Sequence, residues 1–420
     1  MTLPEAYYGL PPKVEFCRHC VISNQRPSST VEFKSGVEQK KEVIHFDDEG
    51  VCCACRYHAT KDEGIDWEAR EAALWKLCDQ YRRSDGRYDV IVPGSGGKDS
   101  AFTAHILKYK YGMNPLTVTW SPHLYTEIGW QNFTNWMHEG GLDNILYTPN
   151  GKLHRLLTSL AFRNLLHPFQ PFILGQRIIG PAMASRFGVE LVMYGENQAE
   201  YGNKVEENHI PTMNEDFFSC EDPLDLMMGG VAVRDIVDEH GFTLGDFAPY
   251  VPPKLETLKA NNVIVHYLGY YLKWDPQECY YYAVENTGFQ SNTERTEGSY
   301  SKYSSIDDKT DPFHYYTTLI KFGLGRSSYD AAQEIRNGKI TREEGVHLVS
   351  RFDQEFPSKY FEEFLEYIDM SRREFFETVD RFRSPHLWEK TENGWKLRHT
   401  VGSDGTADKT EPSFEQALAG

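Results

Sequence analysis

A short glycine-rich loop, Ser95-Gly96-Gly97-Lys98-Asp99-Ser100, constrains the fold of this chain more than any other stretch. An apolar run over residues 88–92 precedes it, and residues 101–108 follow with apolar side chains at helical spacing. This order predicts a buried strand, a tight turn and a helix. Glycines let the backbone approach an anion, and the free N–H groups of the new helix point at it. The stretch therefore predicts a phosphate-binding loop.

The spacing of this loop excludes two common nucleotide-binding motifs. A Walker A loop needs a glycine where this chain has Val92, and a serine or threonine where it has Asp99. Asp99 also occupies the third glycine position of the dinucleotide-binding pattern. A carboxylate beside phosphates repels them unless a metal ion lies between, so Asp99 predicts bound Mg²⁺. An ordinary glycine-rich turn between strand and helix is the alternative interpretation.

The loop resembles the S-G-G-x-D-S motif of the ATP-pyrophosphatase (PP-loop) superfamily. The matching positions are Ser95, Gly96, Gly97, Asp99 and Ser100. The resemblance implies an enzyme that cleaves ATP between the α and β phosphates and transfers AMP to a carbonyl oxygen. On that basis the loop, including Lys98, holds the nucleotide.

Near the start of the chain lie two C-x-x-C pairs, Cys17/Cys20 and Cys52/Cys55. Four thiolates at this spacing suit a tetrahedral Zn²⁺ and leave no open coordination position, which predicts a structural site. Strand-like runs at residues 30–33 and 43–46 fit a zinc ribbon. Disulfides are the weaker alternative in a cytosolic chain, and Cys53 replaces Cys52 as a ligand only by breaking the C-x-x-C spacing.

Composition limits the partners and the location of the chain. Lys+Arg 44 against Asp+Glu 62 gives a net charge of −18, which disfavours binding to nucleic acid. The sequence has no stretch near the roughly 20 apolar residues that span a bilayer. Its first residues lack the basic and apolar regions of a signal peptide. We therefore expect a cytoplasmic protein with no membrane partner.

Strands and helices alternate in the first half of the chain. Apolar strand segments, separated by helices, are predicted at residues 88–92, 116–120, 144–147 and 189–194. This pattern predicts an α/β fold with a parallel sheet covered on both faces, in which ligands bind beyond the carboxyl ends of the strands. The candidate site residues at such ends are Thr119, Gly195, Glu196 and Asn197. A plain strand-end turn is the alternative for Glu196 and Asn197.

Beyond residue 201 the alternation fades and helical patterns dominate. The sequence predicts a zinc-ribbon module at 1–65 and an α/β ATP-binding domain at 66–215. A mostly helical region at 216–400 completes the site, and a flexible tail follows at 401–420.

One late stretch, Lys321-Phe322-Gly323-Leu324-Gly325-Arg326, places a lysine and an arginine around a glycine pair. Both side chains are candidates to reach over bound phosphates. A helix that ends at Gly323 and is followed by another helix explains the glycines equally well.

Together these pieces resemble the N-acetyl sugar amidotransferase family of bacterial surface-polysaccharide and nonulosonic acid biosynthesis, over residues 16–352. The features that carry the resemblance are the cysteine pairs, the loop, Gly195-Glu196-Asn197, and residues 321–326 and 336–344. The resemblance implies a PP-loop (adenine nucleotide α-hydrolase-like) core that converts an acetamido group on a nucleotide-activated sugar to an acetamidino group. The amide oxygen attacks the α-phosphate of ATP, pyrophosphate leaves, and ammonia then displaces AMP.

The resemblance also implies roles for the candidate residues. Ser95, Gly96, Gly97 and Ser100 hold pyrophosphate, and Asp99 binds Mg²⁺. Lys321 and Arg326 neutralise the leaving charge. The end of the second strand lies near adenine, and the Gly195-Glu196-Asn197 turn lies near the reacting substrate or metal. Glu196 is the candidate for a metal or ammonia-handling role. The implied cofactors are ATP, Mg²⁺ and structural Zn²⁺.

We expect the ammonia to come from another chain. Thr2 stands where an N-terminal-nucleophile glutaminase needs cysteine, and neither Cys220 nor Cys279 sits in a sequence resembling a nucleophile turn. The resemblance implies a separate glutaminase with an ammonia-channelling barrel subunit. The remaining partner is the nucleotide-linked acetamido sugar.

Two other interpretations stay open from the sequence. A tRNA thiolase also combines a PP-loop with cysteine pairs, but the net charge of −18 and the late stretch disfavour it. A non-catalytic zinc-ribbon scaffold that binds nucleotide is the other, and the intact loop with Asp99 and Ser100 argues against it.

Overall fold

The computed structural model describes residues 4–196, 198–201, 209–392 and 394–402. Its strands are β1 (Val90–Pro93), β2 (Pro115–Trp120), β3 (Asp143–Tyr147), β4 (Leu191–Tyr194), β5 (Met227–Met228), β6 (Val231–Ala232), β7 (Ile264–Tyr267), β8 (Trp388–Thr391) and β9 (Gly394–Leu397). Its α-helices are α1 (Cys53–Glu63), α2 (Trp67–Tyr81), α3 (Lys98–Tyr109), α4 (Glu127–His138), α5 (Gly151–Leu165), α6 (Gln170–Phe187), α7 (Val233–His240), α8 (Leu255–Ala260), α9 (Leu268–Tyr271), α10 (Pro276–Thr287), α11 (Asp311–Phe322), α12 (Arg326–Arg336), α13 (Arg342–Phe352), α14 (Phe361–Ile368) and α15 (Arg372–Arg381). Among the described residues, none of these helices combines the length and apolar character needed to cross a bilayer.

Five parallel strands form the central sheet in the order β3-β2-β1-β4-β7. Val90 of β1 is in register with Pro115 of β2 on one side and with Leu191 of β4 on the other. All four residues of β1 are buried, as expected for a strand covered on both faces. Because the chain leaves β1 on one side and returns on the other with β4, a crevice opens at the carboxyl ends of these two strands. The predicted fold class is confirmed.

Helices cover both faces of this sheet. On one face Ala104 and Leu107 of α3 pack with Cys78 of α2 among buried residues. On the other, Leu157 of α5 and Ile179 of α6 belong to a second buried cluster. The loop between β1 and α3 therefore lies between two layers of helices, at the carboxyl end of the central strand.

The cysteine module has a different local structure from a ribbon. Glu32–Lys34 is a 3₁₀ helix where the pattern predicts a strand over 30–33. Residues 43–46 make isolated bridges instead of a strand. Serine, glycine and proline around these short runs favour turns, and Phe33 packs into the main core instead of a local sheet. The two predicted strands are therefore wrong.

The region after residue 216 is mostly helical, as predicted, with two departures. β7 adds a fifth strand to the central sheet by pairing with β4. The sequence does not predict this strand, because four residues are too few to show an alternation of apolar and polar side chains. Residues 227–232 form the short hairpin of β5 and β6 where a helical pattern dominates the sequence, because Gly229 and Gly230 adopt φ values of +61° and +78° in its turn, and helix α7 begins only at Val233. The domain boundaries stay predictions, and most of the predicted tail, residues 403–420, lies outside the described residues.

Candidate functional site

The backbone of the phosphate-binding loop depends on two glycines. Gly96 has a φ of +82°, which L side chains rarely adopt, and a Cβ on Gly94 would lie 2.1 Å from the Cβ of Ser100. The Gly96 N–H donates to the Ser100 hydroxyl (3.2 Å), which donates to the Gly97 carbonyl (3.1 Å). The predicted order of strand, loop and helix is confirmed, and Ser100 ties the loop to the first turn of α3.

Lys98 and Asp99 form an ion pair at the start of α3. The Lys98 ammonium lies 2.6 Å from Asp99 Oδ2. Burial opposes the charged form of Lys98, but the Asp99 carboxylate outweighs it and raises the lysine pKa. Within the described residues, the other oxygen, Asp99 Oδ1, is buried without a hydrogen-bond partner. A buried oxygen that lacks a donor fits the expected Mg²⁺ ligand, because hard cations bind carboxylate oxygens.

The loop opens into a cavity of about 670 Å³. Its floor includes the carboxyl ends of β1, β2 and β4, and its walls come from α6, α11, α12 and the cysteine module. Basic side chains line these walls, namely Arg26, Arg177, Arg326 and Arg336. The helices of the C-terminal region therefore lie opposite the loop, across a space large enough for a nucleotide.

Residues 304–308, called the strap below, cross the cavity beside the loop. The strap is docked on α4: the Thr126 N–H donates to the Asp307 carbonyl (3.1 Å), and a Cβ on Gly129 would lie 2.4 Å from the Asp307 Cα. The Ser95 side chain faces the Asp307 carboxylate and lowers its pKa, which favours the charged form. Burial, followed by the neighbouring Asp308, raises the pKa of Asp307 above its ordinary range. Ser95 thus connects the loop to an acidic strap.

Arg326 reaches the cavity from the first turn of α12. Its Nε lies 2.9 Å from Asp330 Oδ1, and its guanidinium stacks 4.4 Å from the centre of the Tyr315 ring. Asp311, at the start of α11, faces the same space, and burial raises its pKa to about 7. The structure therefore places Arg326 with the loop, as the sequence predicts, within an acidic surrounding.

The structure places Lys321 elsewhere. Its ammonium donates to the Leu165 carbonyl (2.6 Å) and lies 5.1 Å from the centre of the Tyr8 ring. The side chain is buried, and burial lowers its pKa to about 7. Because Gly323 ends α11 between the two basic residues, Lys321 points into the aromatic packing below the helix while Arg326 begins the next one. The prediction that both residues neutralise the leaving charge is therefore corrected for Lys321.

At the end of β2 the structure also distinguishes residues that line the cavity from a predicted residue that does not. Val118 and Trp120 line the cavity, whereas Thr119, one residue between them, is fully buried and accepts a hydrogen bond from Asn144 (2.9 Å). Alternate residues of a strand face opposite sides, so Trp120 holds the position predicted for Thr119.

The turn after β4 contributes one acid to the cavity. Glu196 lines it, and its charge acts on Lys98. A Cβ on Gly195 would lie 2.6 Å from Thr103 Oγ1, so this glycine allows β4 to pack closely against α3. The third candidate of this turn, Asn197, lies outside the described residues. Glu196 is thus the member of the triplet that the structure brings to the loop.

Four buried cysteines, Cys17, Cys20, Cys52 and Cys55, converge with their sulfur atoms within 4.8 Å of one another. The Cys17–Cys55 and Cys20–Cys52 sulfurs are 3.9 Å and 3.8 Å apart. Sulfurs bound to one Zn²⁺ at about 2.3 Å in a tetrahedron are about 3.8 Å apart, so the set fits a single tetrahedral ion. Cys53 lies outside the cluster, as the C-x-x-C spacing predicts.

The late stretch after Arg326 holds this cysteine centre. Arg342 donates to the Cys20 carbonyl (3.2 Å) and the Cys17 carbonyl (3.4 Å). A Cβ on Gly345 would lie 2.5 Å from the Ile335 side chain, which packs against the cysteine cluster. The stretch over 336–344 therefore joins the module to α12 and α13, so that α12 spans the distance from the strap to the cysteine centre.

Sequence patterns do not single out four further cavity residues, which are Arg26, Arg177, Asp307 and Asp311. Arg336 also lines the cavity, and it belongs to the stretch that carries the resemblance but has no predicted role. Arg177 and Arg336 lie within ordinary amphipathic helices, where an arginine reads as a solvated side chain. The adjacent acids Asp307-Asp308 are a local signal, but the sequence does not place them beside the phosphate-binding loop, which is about 200 residues away along the chain.

Comparison with known proteins places the C-terminal part of the chain. Residues 297–401 match the family described as "LPS biosynthesis protein WbpG-like, C-terminal domain". These residues are similar to a WbpG-like domain, and the match supports the surface-polysaccharide family that the sequence resembles. The strap, α11 and α12 all fall within this domain. The WbpG-like domain therefore supplies the wall of the cavity that faces the loop.

Solved structures with similar regions were also found, each at 15% identity. NH3-dependent NAD synthetase from Campylobacter jejuni matches over 33% of this chain and 59% of its own, with a TM-score of 0.25. NMN synthetase from Francisella tularensis matches over 47% of this chain and 93% of its own, with a TM-score of 0.27. The U34-tRNA thiolase NcsA from Methanococcus maripaludis with its [4Fe-4S] cluster matches over 65% of this chain and 79% of its own, with a TM-score of 0.30. The chain spans less than two thirds of the NAD synthetase it matches. A search of curated protein sequences returned no match.

The different positions of Lys321 and Arg326 predict different kinetic effects. We expect Arg326→Gln to lower kcat/KM for ATP by about 10- to 100-fold, because a charge-assisted contact contributes about 1.5–3 kcal/mol. We expect Lys321→Met to leave kcat/KM for ATP within about twofold, since its ammonium is engaged with Leu165. Initial rates of AMP formation measure both. Equal losses in the two variants would restore Lys321 to the site.

The raised pKa of Asp311 predicts a pH-dependent stability. Its ordinary pKa is 3.8 and its folded value is about 7, so between these values the unfolded chain has lost a proton that the folded chain keeps. Stability of the native protein therefore falls as pH rises through this window. The Asp311→Asn variant has no carboxyl group to titrate at this position, so it does not lose stability from this source as pH rises. We expect its advantage in urea unfolding to grow from near zero at about pH 4 to about 1–4 kcal/mol at about pH 8. An advantage that does not change with pH would contradict this.

Proposed function

We propose that this protein is an ATP-dependent, AMP-forming amidotransferase that converts an acetamido group on a nucleotide-linked sugar to an acetamidino group. The observation that carries the proposal is the arrangement of the cavity. A pyrophosphatase-type loop forms one side, and a domain of a lipopolysaccharide-biosynthesis family forms the other. ATP binds on the loop, so the group that attacks its α-phosphate has to be held by the facing domain.

The loop residues provide the first half of the reaction. The N–H groups of Gly96 and Gly97 and the hydroxyls of Ser95 and Ser100 bind the pyrophosphate, for which the Gly96 N–H and the Ser100 hydroxyl exchange their bonds within the loop for bonds to phosphate oxygens. Lys98 lies beside the pyrophosphate. Asp99 and Glu196 are the residues that would hold Mg²⁺, which neutralises phosphate charge when bound. The amide oxygen of the substrate attacks the α-phosphate, the bond to the β-phosphate breaks, and pyrophosphate leaves. Arg326 stabilises the charge that develops on the leaving group.

Ammonia completes the reaction. It adds to the carbon of the adenylated amide, the C–O bond to AMP breaks, and the nitrogen loses a proton as the amidine forms. The carboxylates of Asp307, Asp311 and Glu196 surround this space, so they favour an ammonium ion and can accept its proton. We expect a partner glutaminase with an ammonia-channelling barrel subunit as the source.

The cysteine centre has a structural role in this proposal. Its four sulfurs fill a tetrahedral coordination sphere, which leaves no position for a substrate, and Zn²⁺ is the ion we propose. The centre anchors the module whose residues Ile22, Arg26 and Ser29 line the cavity. We expect the enzyme to act in the cytoplasm, on soluble substrates.

Turnover with a panel of acceptors tests the proposal. The protein is incubated with ATP, Mg²⁺, ammonium chloride and either UDP- or CMP-linked acetamido sugars or bulk tRNA. The proposal expects AMP in equal amount with a sugar product slightly lighter than the substrate, since NH replaces O. AMP formation that requires tRNA would assign the protein to the thiolase class and overturn the proposal. No AMP with any sugar, in the presence of ammonium, would also contradict it.

A further inference from the structure

Most of the acids that line the cavity are engaged by neighbouring groups. In the described part of the chain these acids are Asp99, Glu196, Asp307, Asp308, Asp311 and Asp330. Asp308 accepts hydrogen bonds from the His123 ring (2.9 Å) and from the Thr310 N–H (2.9 Å). Asp330 is paired with Arg326, with 2.9 Å between Oδ1 and Nε. These two acids therefore hold the strap and α12 in place.

Three further acids lie beside the expected phosphate and metal positions. Asp99 is paired with Lys98 (2.6 Å), and the charge of Glu196 acts on the same lysine. Asp307 faces Ser95, a loop residue that binds pyrophosphate in the proposed reaction. Each of these carboxylates adjoins a group that holds ATP or its metal ion, which leaves Asp311 as the cavity acid without such a task.

Asp311 offers an oxygen that no other group occupies. It lines the cavity, and within the described residues its Oδ2 is buried without a hydrogen-bond partner. The start of α11 fixes its position, because the Asp311 N–H donates to the Asp308 carbonyl (3.2 Å) and the Asp308 carboxylate holds Thr310. A buried carboxyl oxygen without a donor is suited to accept a proton from a ligand.

The surroundings of Asp311 keep both of its protonation states accessible. The charged and titratable groups that act on it come from the strap, α11 and α12, and they are Asp307, Asp308, Tyr315 and Arg326. Burial is the largest effect and raises the pKa of Asp311 to about 7, whereas Arg326 and the Ser305 side chain lower it. A proton acceptor is most efficient when its pKa lies near the working pH.

The strap contains an unfavourable backbone conformation next to this carboxyl. Ser305 has a φ of +55°, in the left-handed region that a residue with a side chain rarely adopts. Its side chain lines the cavity and faces Asp311. Strained residues persist where the surrounding structure requires them, and they concentrate at functional sites. Here the strain accompanies the contact between the strap and Asp311.

We propose that Asp311 is the general base of the second half-reaction and accepts a proton from the ammonium ion that supplies the new nitrogen. The inference rests on the proposed function and assigns one of its steps to one residue. One N–H bond of ammonium breaks, and its proton goes to a carboxylate oxygen of Asp311. The freed electron pair forms the C–N bond, and the C–O bond breaks with its pair on AMP. Asp311 then releases the proton to solvent.

The pH dependence of the ammonium-supported reaction tests this role. The value of kcat/KM for ammonium is measured on the full chain with ATP, Mg²⁺ and an acetamido sugar that turns over. We expect Asp311→Asn to lower it about 100-fold at pH 7, since general base catalysis typically contributes about 10²–10⁴-fold. Above pH 7 the loss should shrink by up to about tenfold per pH unit, because free ammonia needs no base and becomes more abundant.

Pyrophosphate release without ammonium reports the first half-reaction alone. Asp311→Asn should release pyrophosphate from ATP and sugar within about twofold of the wild-type rate, because its carboxyl acts after adenylation. Unfolding does not explain a loss of amidine, since this variant is expected to be at least as stable as the wild type at neutral pH. Asp235→Asn, at an exposed aspartate in the first turn of α7, is the matched control and should change neither rate.

The outcomes separate this role from the proposed function. Wild-type kcat/KM for ammonium in Asp311→Asn at pH 7, or equal losses of pyrophosphate release and amidine formation, overturns the role of Asp311 and leaves the amidotransferase reaction standing. A loss that keeps its size from pH 7 to pH 9 also overturns the role, because free ammonia would then need the carboxyl too. A wild-type protein that releases no pyrophosphate with any acetamido sugar overturns both.

Discussion

Replacing Asp99 by asparagine is expected to lower AMP formation about a thousandfold, since a metal-binding carboxylate acts on charge that develops in the transition state. Its Oδ1 is buried without a donor in the described part of the chain, and Oδ2 contacts Lys98. Asparagine keeps the shape of the side chain at the start of α3, so the fold should persist. Initial rates over a range of Mg²⁺ concentrations measure the effect.

The control for this variant is Asp79→Asn, which changes an exposed carboxylate paired with Arg82 on α2. It should leave the rate unchanged. If Asp99→Asn retains the wild-type rate and the same dependence on Mg²⁺, the loop does not use this carboxylate. The account of the first half-reaction would then be wrong.

Replacing Cys20 by serine is expected to cause the largest loss of stability. Zinc binding to four thiolates contributes about 10–16 kcal/mol in small zinc-binding peptides, and serine is a poor ligand. The cluster of buried residues around the sulfurs also includes Ala331 and Ala332 of α12 and Val349 of α13. Loss of the ion should therefore loosen the wall of the cavity as well as the module. Bound metal measured by mass spectrometry and the midpoint of thermal unfolding report the two effects.

Cys53→Ser is a matched control for this experiment. Cys53 is buried and adjacent to a ligand in the sequence, but it lies outside the group of four sulfurs. Its variant should keep one metal ion per chain and unfold close to the wild-type midpoint. A Cys20→Ser protein that still binds one ion at the wild-type midpoint would show that the four sulfurs do not form the metal centre.

Local sequence signals predict the parts of the fold that depend on local structure. The apolar run before Gly94 gives β1, the glycines give the turn, and the spacing after Ser100 gives α3. The C-x-x-C spacing likewise identifies the four cysteines that meet. In each case a short stretch has the backbone geometry or the donor set that the chemistry requires, so the pattern is sufficient.

Side-chain direction and long-range packing limit the prediction elsewhere. Lys321 and Arg326 are close in sequence, but a helix end at Gly323 lies between them and sends them to different surroundings. Thr119 and Trp120 are neighbours on β2 and face opposite sides. Arg177 comes to the site only because α6 crosses the sheet there, which no local pattern encodes.

The structure also changes the meaning of the late stretch in the sequence. Of the two residues predicted to lie over the phosphates, Lys321 and Arg326, Arg326 lines the cavity and Lys321 does not. Arg342, further along the stretch, donates to backbone carbonyls of the cysteine module, and Arg336 lines the cavity. The stretch therefore serves to connect the cysteine centre to the WbpG-like domain, and it brings both to the loop.

The central claim is that the acetamido oxygen of a sugar attacks ATP. The most direct measurement uses a nucleotide-linked sugar whose acetamido oxygen is a heavy isotope, with ATP, Mg²⁺ and ammonium. Mass spectrometry then follows the label. The account predicts that the heavy oxygen appears in AMP, one atom per molecule of amidine formed. Label that stays with the sugar, or AMP that forms without label, would contradict it.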